Sequence, residues 1–426
     1  DGNLAYLDTV RVMSAPVFLE PPPPPAATTQ ETASGIPVAL SSAPWAGHPA
    51  VAADGTAIHA VWQQRAATVY EIAYGRSLDG GATWSSPVVL SAGEDARTPA
   101  IAAAGGRVVV AWERHPGSRH GGVITLRTSI DGGSSFGSAE VVNDLSIPAA
   151  RPALALTPVS DHLVWMSMED GYKIRYARRS GGGWSAPVRL SSAEAYDGPD
   201  LSFVLPPRKL RHVPAAALPT IAASGDRVAV AWEDDREDPT PLRNGTPDDW
   251  GIYAAFSTDG GGSWSADRRI TPRHDATPPD PDDPEQMEGN PARHASLAYA
   301  SSGGPLVLAY DDPFGSGGAN VYVQRSSDGG ESWSAPVAVS AVTPEFAYRP
   351  ALVAAQDGFV DVVWQASQGR LWSLRRAASA DSGESFSPEA PFTTGTGYAG
   401  RPRAAGGVVV WSGEAAGTYR VFAARF

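Results

Sequence analysis

The 426-residue sequence contains no cysteine, which excludes disulfides, thiolate metal sites, c-type haem attachment and cysteine nucleophiles. Charged residues are also scarce at 19%, and 33 Lys and Arg against 46 Asp and Glu give a net charge of −13. This balance argues against general nucleic-acid binding, which requires a basic face. No apolar run approaches the roughly 18 residues of a membrane-spanning helix, so we expect no transmembrane segment.

Turn-forming residues, by contrast, are abundant. The sequence has 45 glycines and 38 prolines, and 42% of its residues are hydrophobic, which suits a turn-rich all-β protein with a large core. The sequence starts at Asp1 without a methionine, which favours a removed signal peptide. We therefore expect an extracytoplasmic protein that is periplasmic, secreted or attached to the cell surface.

One short phrase, Ser-x-Asp-x-Gly-x-x-aromatic, recurs along the chain. Its aspartate can accept hydrogen bonds from the backbone of its own turn, its glycines supply positive φ, and its aromatic ring can fold back onto the hairpin. We interpret it as a structural device that closes a β-hairpin. A sixth copy at Ser180 lacks the aspartate. The five complete copies carry Asp79, Asp131, Asp259, Asp328 and Asp381.

The residues between these phrases divide into repeated units of four strands, A to D. Seven A strands begin near His48, Arg97, Arg151, Leu218, Arg293, Arg349 and Arg401. Seven B strands end at Trp62, Trp112, Trp165, Trp232, Tyr310, Trp364 and Trp411. An aromatic residue repeated at one position of each unit is typical of packing between neighbouring sheets. The pattern predicts an all-β, seven-bladed β-propeller with four-stranded antiparallel blades.

The last unit lacks the phrase and a D strand. The segment 36–42 resembles the D strands, so we predict that this N-terminal strand completes the last blade and removes an exposed sheet edge. A six-bladed ring is the alternative, and it requires that the residues after Arg401 form something other than a blade. Residues 1–20 match no repeat and are interpreted as a strap or a docking segment for a partner, residues 21–35 as a proline-rich linker, and residues 36–426 as the propeller.

The repeated phrase resembles the Asp-box, or bacterial neuraminidase repeat, of sialidase-like β-propellers, and the resemblance covers residues 36–426. In that family the boxes lie on the rim, away from the active centre. Its sialidases are six-bladed, and they use three arginines to bind the substrate carboxylate, a Tyr–Glu pair as nucleophile and base, and an aspartate as acid. The resemblance implies that Tyr348-Arg349-Pro350 matches the family's Phe/Tyr-Arg-Ile-Pro phrase without its isoleucine. It leaves several residues open for the other roles: Arg97, Arg151, Arg293 and Arg401 as clamp, Glu113 or Glu233 as base, and Tyr196, Tyr348 or Tyr398 as nucleophile.

Strand direction predicts that two sets of polar residues meet at the top of the ring. One set starts the A strands, and the other follows the B strands: Gln63, Glu113, Glu233, Asp234, Asp311, Asp312 and Gln365. These residues either pair between blades or leave some side chains available for an anionic or hydroxyl-rich ligand. The candidate ligand-binding residues are Arg151, Arg293, Glu113, Asp234 and Asp311.

Three long connections, 192–216, 233–250 and 272–293, cluster on the top face around the fourth blade. Two of them are acidic, and their oxygen ligands make Ca²⁺ a conceivable but not a required cofactor. The candidate ligands are Asp235, Asp238, Asp282 and Asp283. Three nearby histidines, at 212, 274 and 294, are a weaker indication of a transition-metal site.

Two functional hypotheses follow. The first is a recognition or scaffold propeller that binds a protein or glycan through its top face near the fourth blade. The alternative is a sialidase-like exo-glycosidase that uses an arginine-lined channel mouth. A glycosidase needs two groups with separated pKa values at a fixed distance, whereas the candidate groups here recur by repeat symmetry as structural residues do.

Overall fold

The computed structural model describes most of the chain from residue 36 onward. The described residues are 36–116, 122–169, 171–194, 196–201, 208–212, 215–236, 250–272, 292–312, 319–340, 346–354, 358–368, 371–393 and 398–426. The predicted N-terminal segment and linker, residues 1–35, lie outside them.

The described chain is a seven-bladed β-propeller in which every blade is a four-stranded antiparallel sheet. The inner strands are β2 (Ala46–Asp54), β6 (Ala96–Ala104), β10 (Ala149–Leu156), β16 (Ala216–Ser224), β20 (Arg293–Tyr299), β24 (Phe346–Ala354) and β28 (Ala399–Ala405). The second strands are β3 (Ala57–Arg65), β7 (Arg107–Arg114), β11 (Asp161–Glu169), β17 (Arg227–Asp234), β21 (Leu306–Asp312), β25 (Val360–Gln368) and β29 (Val408–Ala415). Successive inner strands contact one another around the whole ring, from β2 to β28 and back to β2. The seven-bladed prediction is confirmed, and the six-bladed alternative is wrong.

The third strand of each blade is about as long as the inner two, whereas the outermost strand has only two residues. The third strands are β4 (Tyr70–Ser77), β8 (Val123–Ser129), β12 (Gly171–Arg179), β18 (Gly251–Ser257), β22 (Asn320–Ser326), β26 (Leu371–Ser379) and β30 (Thr418–Arg425). The outer strands are β5 (Val88–Val89), β9 (Glu140–Val141), β13 (Val188–Arg189), β19 (Arg268–Arg269), β23 (Val337–Ala338), β27 (Ala390–Pro391) and β1 (Val38–Ala39). A separate hairpin of β14 (Tyr196–Leu201) and β15 (Arg208–His212) is inserted before blade 4. No helix long and apolar enough to cross a membrane occurs in the described part of the chain.

The ring is closed by strand β1, which is the outer strand of blade 7. Val38 pairs with Ala423 and Ala39 with Phe422 at the C-terminal strand β30. The contact continues beyond β1, because Leu40 N donates to Val421 O at 2.8 Å. The predicted closure by the N-terminal strand is therefore confirmed.

The core lies between the blades. The aromatic residues that end the predicted B strands are only 0% to 4% exposed, and they pack in clusters built from two adjacent sheets. Truncating one buried tryptophan typically costs about 3–5 kcal/mol. The prediction that these residues form the inter-blade core is confirmed.

The repeated Ser-x-Asp turns lie at the base of the ring. In the first turn, Ser77 Oγ donates to Asp79 Oδ1 at 2.6 Å, and the backbone of Thr83 donates to the same oxygen at 2.9 Å. The other four turns repeat these bonds. Hydrogen bonds from serine or threonine side chains and from the turn backbone hold the pKa of all five carboxyls well below its usual range.

Each of these turns also packs against the preceding blade. A Cβ at Gly133 would collide with the Tyr74 ring of blade 1, and one at Gly261 would collide with Tyr176 of blade 3. The tyrosine hydroxyls bond in turn to buried histidines, His59 Nδ1 at 2.8 Å and His162 Nδ1 at 2.7 Å. The turns thus join neighbouring blades at the base of the ring, so their repeated contacts are structural.

Candidate functional site

A channel with a cavity volume of about 330 Å³ runs into the ring from the top, and the starts of the inner strands line it. Each inner strand has a β-bulge there, at which one residue adopts a left-handed backbone with φ between 47° and 55°. These residues, one per blade, are His48, Thr98, Arg151, Leu218, His294, Arg349 and Arg401. Non-glycine residues rarely adopt this conformation. Because it occurs at the same position in all seven inner strands, the surrounding structure must impose it at the mouth.

Two of the predicted clamp arginines do not line the channel. Arg97 and Arg293 stand one residue before the left-handed position, which Thr98 and His294 occupy instead. Arg97 is exposed and forms an ion pair with Asp95 at 2.8 Å, and Arg293 lies over the Trp250 ring. The sequence carries a signal for Arg97: in six of the seven repeats the channel residue immediately precedes a proline, whereas Arg97 precedes it by two positions. The fifth repeat has Ala295 in place of that proline, so the same signal is lacking for Arg293.

The acceptors after the B strands latch neighbouring blades together. Glu233 Oε1 accepts a hydrogen bond from the backbone N–H of His294 at 2.7 Å, and Asp311 Oδ1 accepts one from Arg349 N at 2.9 Å. Four further interfaces have an equivalent bond. The pairs are Thr98 N to Gln63 Oε1 (3.2 Å), Arg151 N to Glu113 Oε2 (3.4 Å), Leu218 N to Met166 Sδ (3.5 Å) and Arg401 N to Gln365 Oε1 (3.0 Å). We call these six contacts the inter-blade latches. They support the interpretation that the polar ring joins blades.

The seventh interface, between blades 7 and 1, is built differently. The equivalent residue is Ser412, whose buried Oγ has no hydrogen-bond partner within the described residues. Here Arg401 Nη1 lies 3.3 Å from His48 Nδ1 across the interface. The short Ser412 side chain explains the missing latch, and the strand pairing of β1 with β30 closes the ring in its place.

Arg403 is a channel residue that our sequence reasoning missed. It lies two positions after Arg401, where the other inner strands carry small residues. Its side chain is accessible from the channel although protein surrounds it, and Nη1 donates to the Pro402 carbonyl at 2.9 Å. The signal was present in the sequence, since only this repeat has a charge at that position. The equivalents are Ala50, Ala100, Ala153, Thr220, Ser296 and Ala351.

The electrostatics of the channel are those of a cluster of cations. Desolvation by the surrounding protein, together with the charges of Arg349, Arg401 and Arg151, lowers the pKa of Arg403 to about 10. Burial and the same four arginines hold the pKa of His48 well below its usual range, so its ring is neutral near pH 7. Such a cluster favours an anionic ligand, because an anion would relieve the mutual repulsion of the guanidinium groups.

The remaining candidates have structural contacts. Tyr348 stacks between Phe346 and Trp372 at ring-centroid distances of 5.7 and 6.2 Å, and burial followed by the charge of Asp311 raises the pKa of Tyr348 to about 12. Glu113 contacts His115 Nε2 through Oε1 at 2.5 Å. Asp234 is buried and accepts hydrogen bonds from Trp232 Nε1 and from both Nε and Nη2 of Arg236.

Most of the candidate metal ligands lie outside the described residues. Asp238, Asp282 and Asp283 are among those, as is His274. Asp235 is buried, and its Oδ1 accepts the backbone N–H of Ala215 at 2.6 Å. Within the described ranges, no group of three or more His, Asp and Glu residues is placed to hold a metal ion. Calcium stays a prediction.

Comparisons with known proteins give the fold. No family model matches the chain, and no curated protein matches it. Among solved structures, a PL25 polysaccharide lyase, an ulvan lyase, aligns with a TM-score of 0.59 at 11% identity, over 93% of this chain and 96% of the lyase. The propeller domain of the Trilobed protease from Pyrococcus furiosus has a TM-score of 0.50 at 10% identity, over 88% and 94%. The NanB sialidase from Streptococcus pneumoniae has a TM-score of 0.48 at 12% identity, over 80% and 67%. The likenesses to the lyase and to the protease propeller domain confirm a propeller fold and extend no further.

Proposed function

We propose that this protein is a recognition propeller that binds an acidic saccharide, carrying a carboxylate or a sulfate, at the mouth of its channel. One observation carries the proposal: Arg151, Arg349, Arg401 and Arg403 converge on one cavity. Guanidinium groups bind carboxylate and sulfate through paired, charge-assisted hydrogen bonds.

The departure of Arg403 from the repeat supports a binding role. The latch acceptors recur in six of the seven blades, as structural residues do, whereas a charge two positions after the left-handed residue occurs in one blade only. Among the described residues no carboxylate forms an ion pair with Arg403, and its side chain donates a hydrogen bond to the Pro402 carbonyl. Arg403 is exposed to the channel, so its guanidinium can reach an anionic ligand there without a competing carboxylate.

The proposed site lies on the arc of blades 6, 7 and 1, with Arg151 of blade 3 across the channel. Blade 4 contributes the apolar Leu218 to the ring of left-handed residues. Our sequence-based expectation centred recognition on the fourth blade. The acidic parts of its long loops, 237–249 and 273–291, lie outside the described residues, so the arginine arc is now the better supported location.

The described contacts favour recognition over hydrolysis. The mouth carboxylates Glu113, Glu233 and Asp311 each accept a backbone N–H of the next blade. Tyr348, with its pKa raised to about 12, is a poor nucleophile at neutral pH. The converging arginines are what favours the alternative, a sialidase-like exo-glycosidase, and a turnover assay separates the two.

A calorimetric titration tests the proposal. A structure of ulvan lyase has been solved bound to -[GlcA(1-4)Rha3S]-, a disaccharide unit that combines a carboxylate with a sulfate ester, so we choose this disaccharide as the probe. We expect Arg403→Ala to weaken binding at least about tenfold, because a charge-assisted hydrogen bond contributes about 1.5–3 kcal/mol. Arg97→Ala, which removes an exposed arginine outside the channel, is the matched control and should change affinity less than about twofold.

Two results would overturn the proposal. One is the absence of binding of this disaccharide, of glucuronate and of sialic acid to the wild-type protein. The other is equal affinity for the wild type and Arg403→Ala. Turnover of a fluorogenic sialoside that disappears in Arg349→Ala would favour the exo-glycosidase instead.

An acidic-saccharide ligand fits the extracytoplasmic location that we propose for this protein. Cell fractionation with a compartment marker tests it, and recovery of the mature chain in the cytosolic fraction would contradict it.

A further inference from the structure

Three aromatic residues stand beside the cationic arc. The position three residues before the left-handed residue is Trp45 in blade 1, Phe346 in blade 6 and Tyr398 in blade 7. These blades are adjacent in the ring and supply His48, Arg349, Arg401 and Arg403. In blades 2 to 5 the same position carries Asp95, Pro148, Ala215 and Pro291. The aromatic residues therefore break the repeat on the side of the ring where Arg403 also breaks it.

In blades 1 and 7 a glycine lets the ring fold over the strand. A Cβ at Gly47 would lie 3.2 Å from two ring atoms of Trp45, and a Cβ at Gly400 would collide with the Tyr398 hydroxyl. The Trp45 ring also approaches His48, with a centroid distance of 6.2 Å. These glycines leave room for aromatic rings close to the channel mouth.

In blade 6 the aromatic residues form a stack. Phe346 lies parallel to Tyr348 with an interplanar angle of 7°, and Tyr348 stacks on Trp372. The inner members are partly or fully buried, but Phe346 is 41% exposed at the end of the stack. The stack therefore holds one aromatic ring rigidly at the surface, three residues before Arg349.

We infer that Phe346, with Trp45 across the arc, is a stacking platform for a second sugar residue, so that the ligand is an acidic oligosaccharide. This inference rests on the proposed function, which puts the acidic residue among the arginines. Pyranose rings have an apolar C–H face, which packs well on a flat aromatic ring. At about 3.3 Å per strand residue, Phe346 lies roughly 10 Å along the strand from Arg349, so it can contact only a residue beyond the one in the channel.

The experiment compares a short and a long probe on the same proteins. Glucuronate and a tetrasaccharide of alternating GlcA and Rha3S are titrated into the wild type, Phe346→Ala, Phe346→Tyr and Leu371→Ala. Leu371 is the matched control, since it is exposed to a similar extent, 39%, and lies in the same blade. We expect Phe346→Ala to lower the affinity for the tetrasaccharide about tenfold and the affinity for glucuronate less than twofold. Phe346→Tyr should keep the affinity for the tetrasaccharide, and Leu371→Ala should change neither affinity.

The outcomes separate this inference from the function on which it rests. A tetrasaccharide that binds the wild type no more tightly than glucuronate, or that binds Phe346→Ala as tightly as the wild type, overturns the platform and leaves the acidic-saccharide site standing. An equal loss for both probes also overturns the platform, because the effect would then pass through the channel itself. No binding of either probe to the wild type overturns the platform, and if sialic acid does not bind either, it overturns the proposed function as well.

Discussion

The two ends of the ring use repetition differently. At the base, five turns repeat the same serine, aspartate and glycine contacts, and the glycine of each packs on the preceding blade. At the mouth, the backbone repeats as faithfully, with one left-handed residue in each of seven blades. The side chains at those seven positions, however, include arginine, histidine, threonine and leucine. A constant frame that carries variable side chains is typical of a binding surface on a rigid scaffold.

The strongest test of this contrast removes one buried carboxylate at the mouth and one exposed carboxylate at the base. Glu233→Ala should lower the free energy of unfolding by about 3 kcal/mol, because it removes a buried carboxylate that accepts the backbone N–H of His294 at 2.7 Å and lies 3.7 Å from Arg293 Nη1. Glu331 is 74% exposed and lies 3.4 Å from Arg268. Glu331→Ala should therefore lower the free energy of unfolding by less than about 0.5 kcal/mol. Urea unfolding measures both, and equal losses would contradict a structural role for the latches.

The base can be disrupted through one glycine. Gly133→Ala should lower the unfolding free energy by about 2–3 kcal/mol, since the new Cβ meets Tyr74 at a residue whose φ is 75°. Gly132→Ala is the matched control: its φ is 64°, but a Cβ there has no neighbour within 4 Å, so about 1 kcal/mol is expected. Equal losses for the two variants would show that docking on blade 1 contributes nothing.

As the pH is lowered, the buried histidines at the base should reduce stability at a higher pH than the aspartates of the turns do. Burial lowers the pKa of His59 and His162 to about 4, whereas both titrate near 6.5 in the unfolded chain. The unfolded state therefore binds more protons between pH 6.5 and 4, and stability falls as pH drops through that window. The aspartates of the turns have lowered pKa values, so their contribution is lost only below about pH 3.8.

Unfolding by urea at a series of pH values checks this order. The double variant His59→Gln, His162→Gln should flatten the dependence between pH 6.5 and 4 and leave the loss below pH 3.8 intact. An unchanged slope between pH 6.5 and 4 would exclude the two histidines as its cause.

The smallest expected effect adds the missing latch. Ser412→Gln places at the interface of blades 7 and 1 the acceptor that Gln63 and Gln365 provide elsewhere. We expect a gain of about 1 kcal/mol in unfolding free energy, the usual contribution of one hydrogen bond. Ser367→Gln serves as control for the added bulk, since Ser367 is also a buried serine and lies two residues beyond Gln365, the latch residue of blade 6. A loss of stability in Ser412→Gln alone would show that this interface has no room for the latch.

The sequence predicted the ring because propeller architecture depends on local, repeated patterns. The aromatic ends of the B strands and the resemblance of segment 36–42 to a D strand were sufficient for seven blades and for their closure. The role of each mouth residue was harder to predict, because it depends on a one-residue difference. Arg97 and Arg151 both stand at the start of an A strand and differ only by one residue in their distance from the proline, yet only Arg151 lies at the bulge and lines the channel.

Arg403 shows a second limit. The residues that all repeats have in common are mostly structural. The functional candidates in this protein are instead residues that occur in one repeat and differ from the others. Arg403 and Phe346 could have been found by aligning the seven A strands and asking which positions differ. Their convergence on one arc depends on ring closure through β1, which only the structure establishes.

The central claim is that the channel arginines hold an anion, and anomalous scattering from selenate tests it most directly. Selenate has the shape and charge of sulfate, and its position in a soaked crystal is unambiguous. We expect selenate in the channel, in hydrogen-bonding contact with Arg403 and with Arg349 or Arg401. Selenate only at surface arginines such as Arg97, with an unoccupied channel, would contradict it.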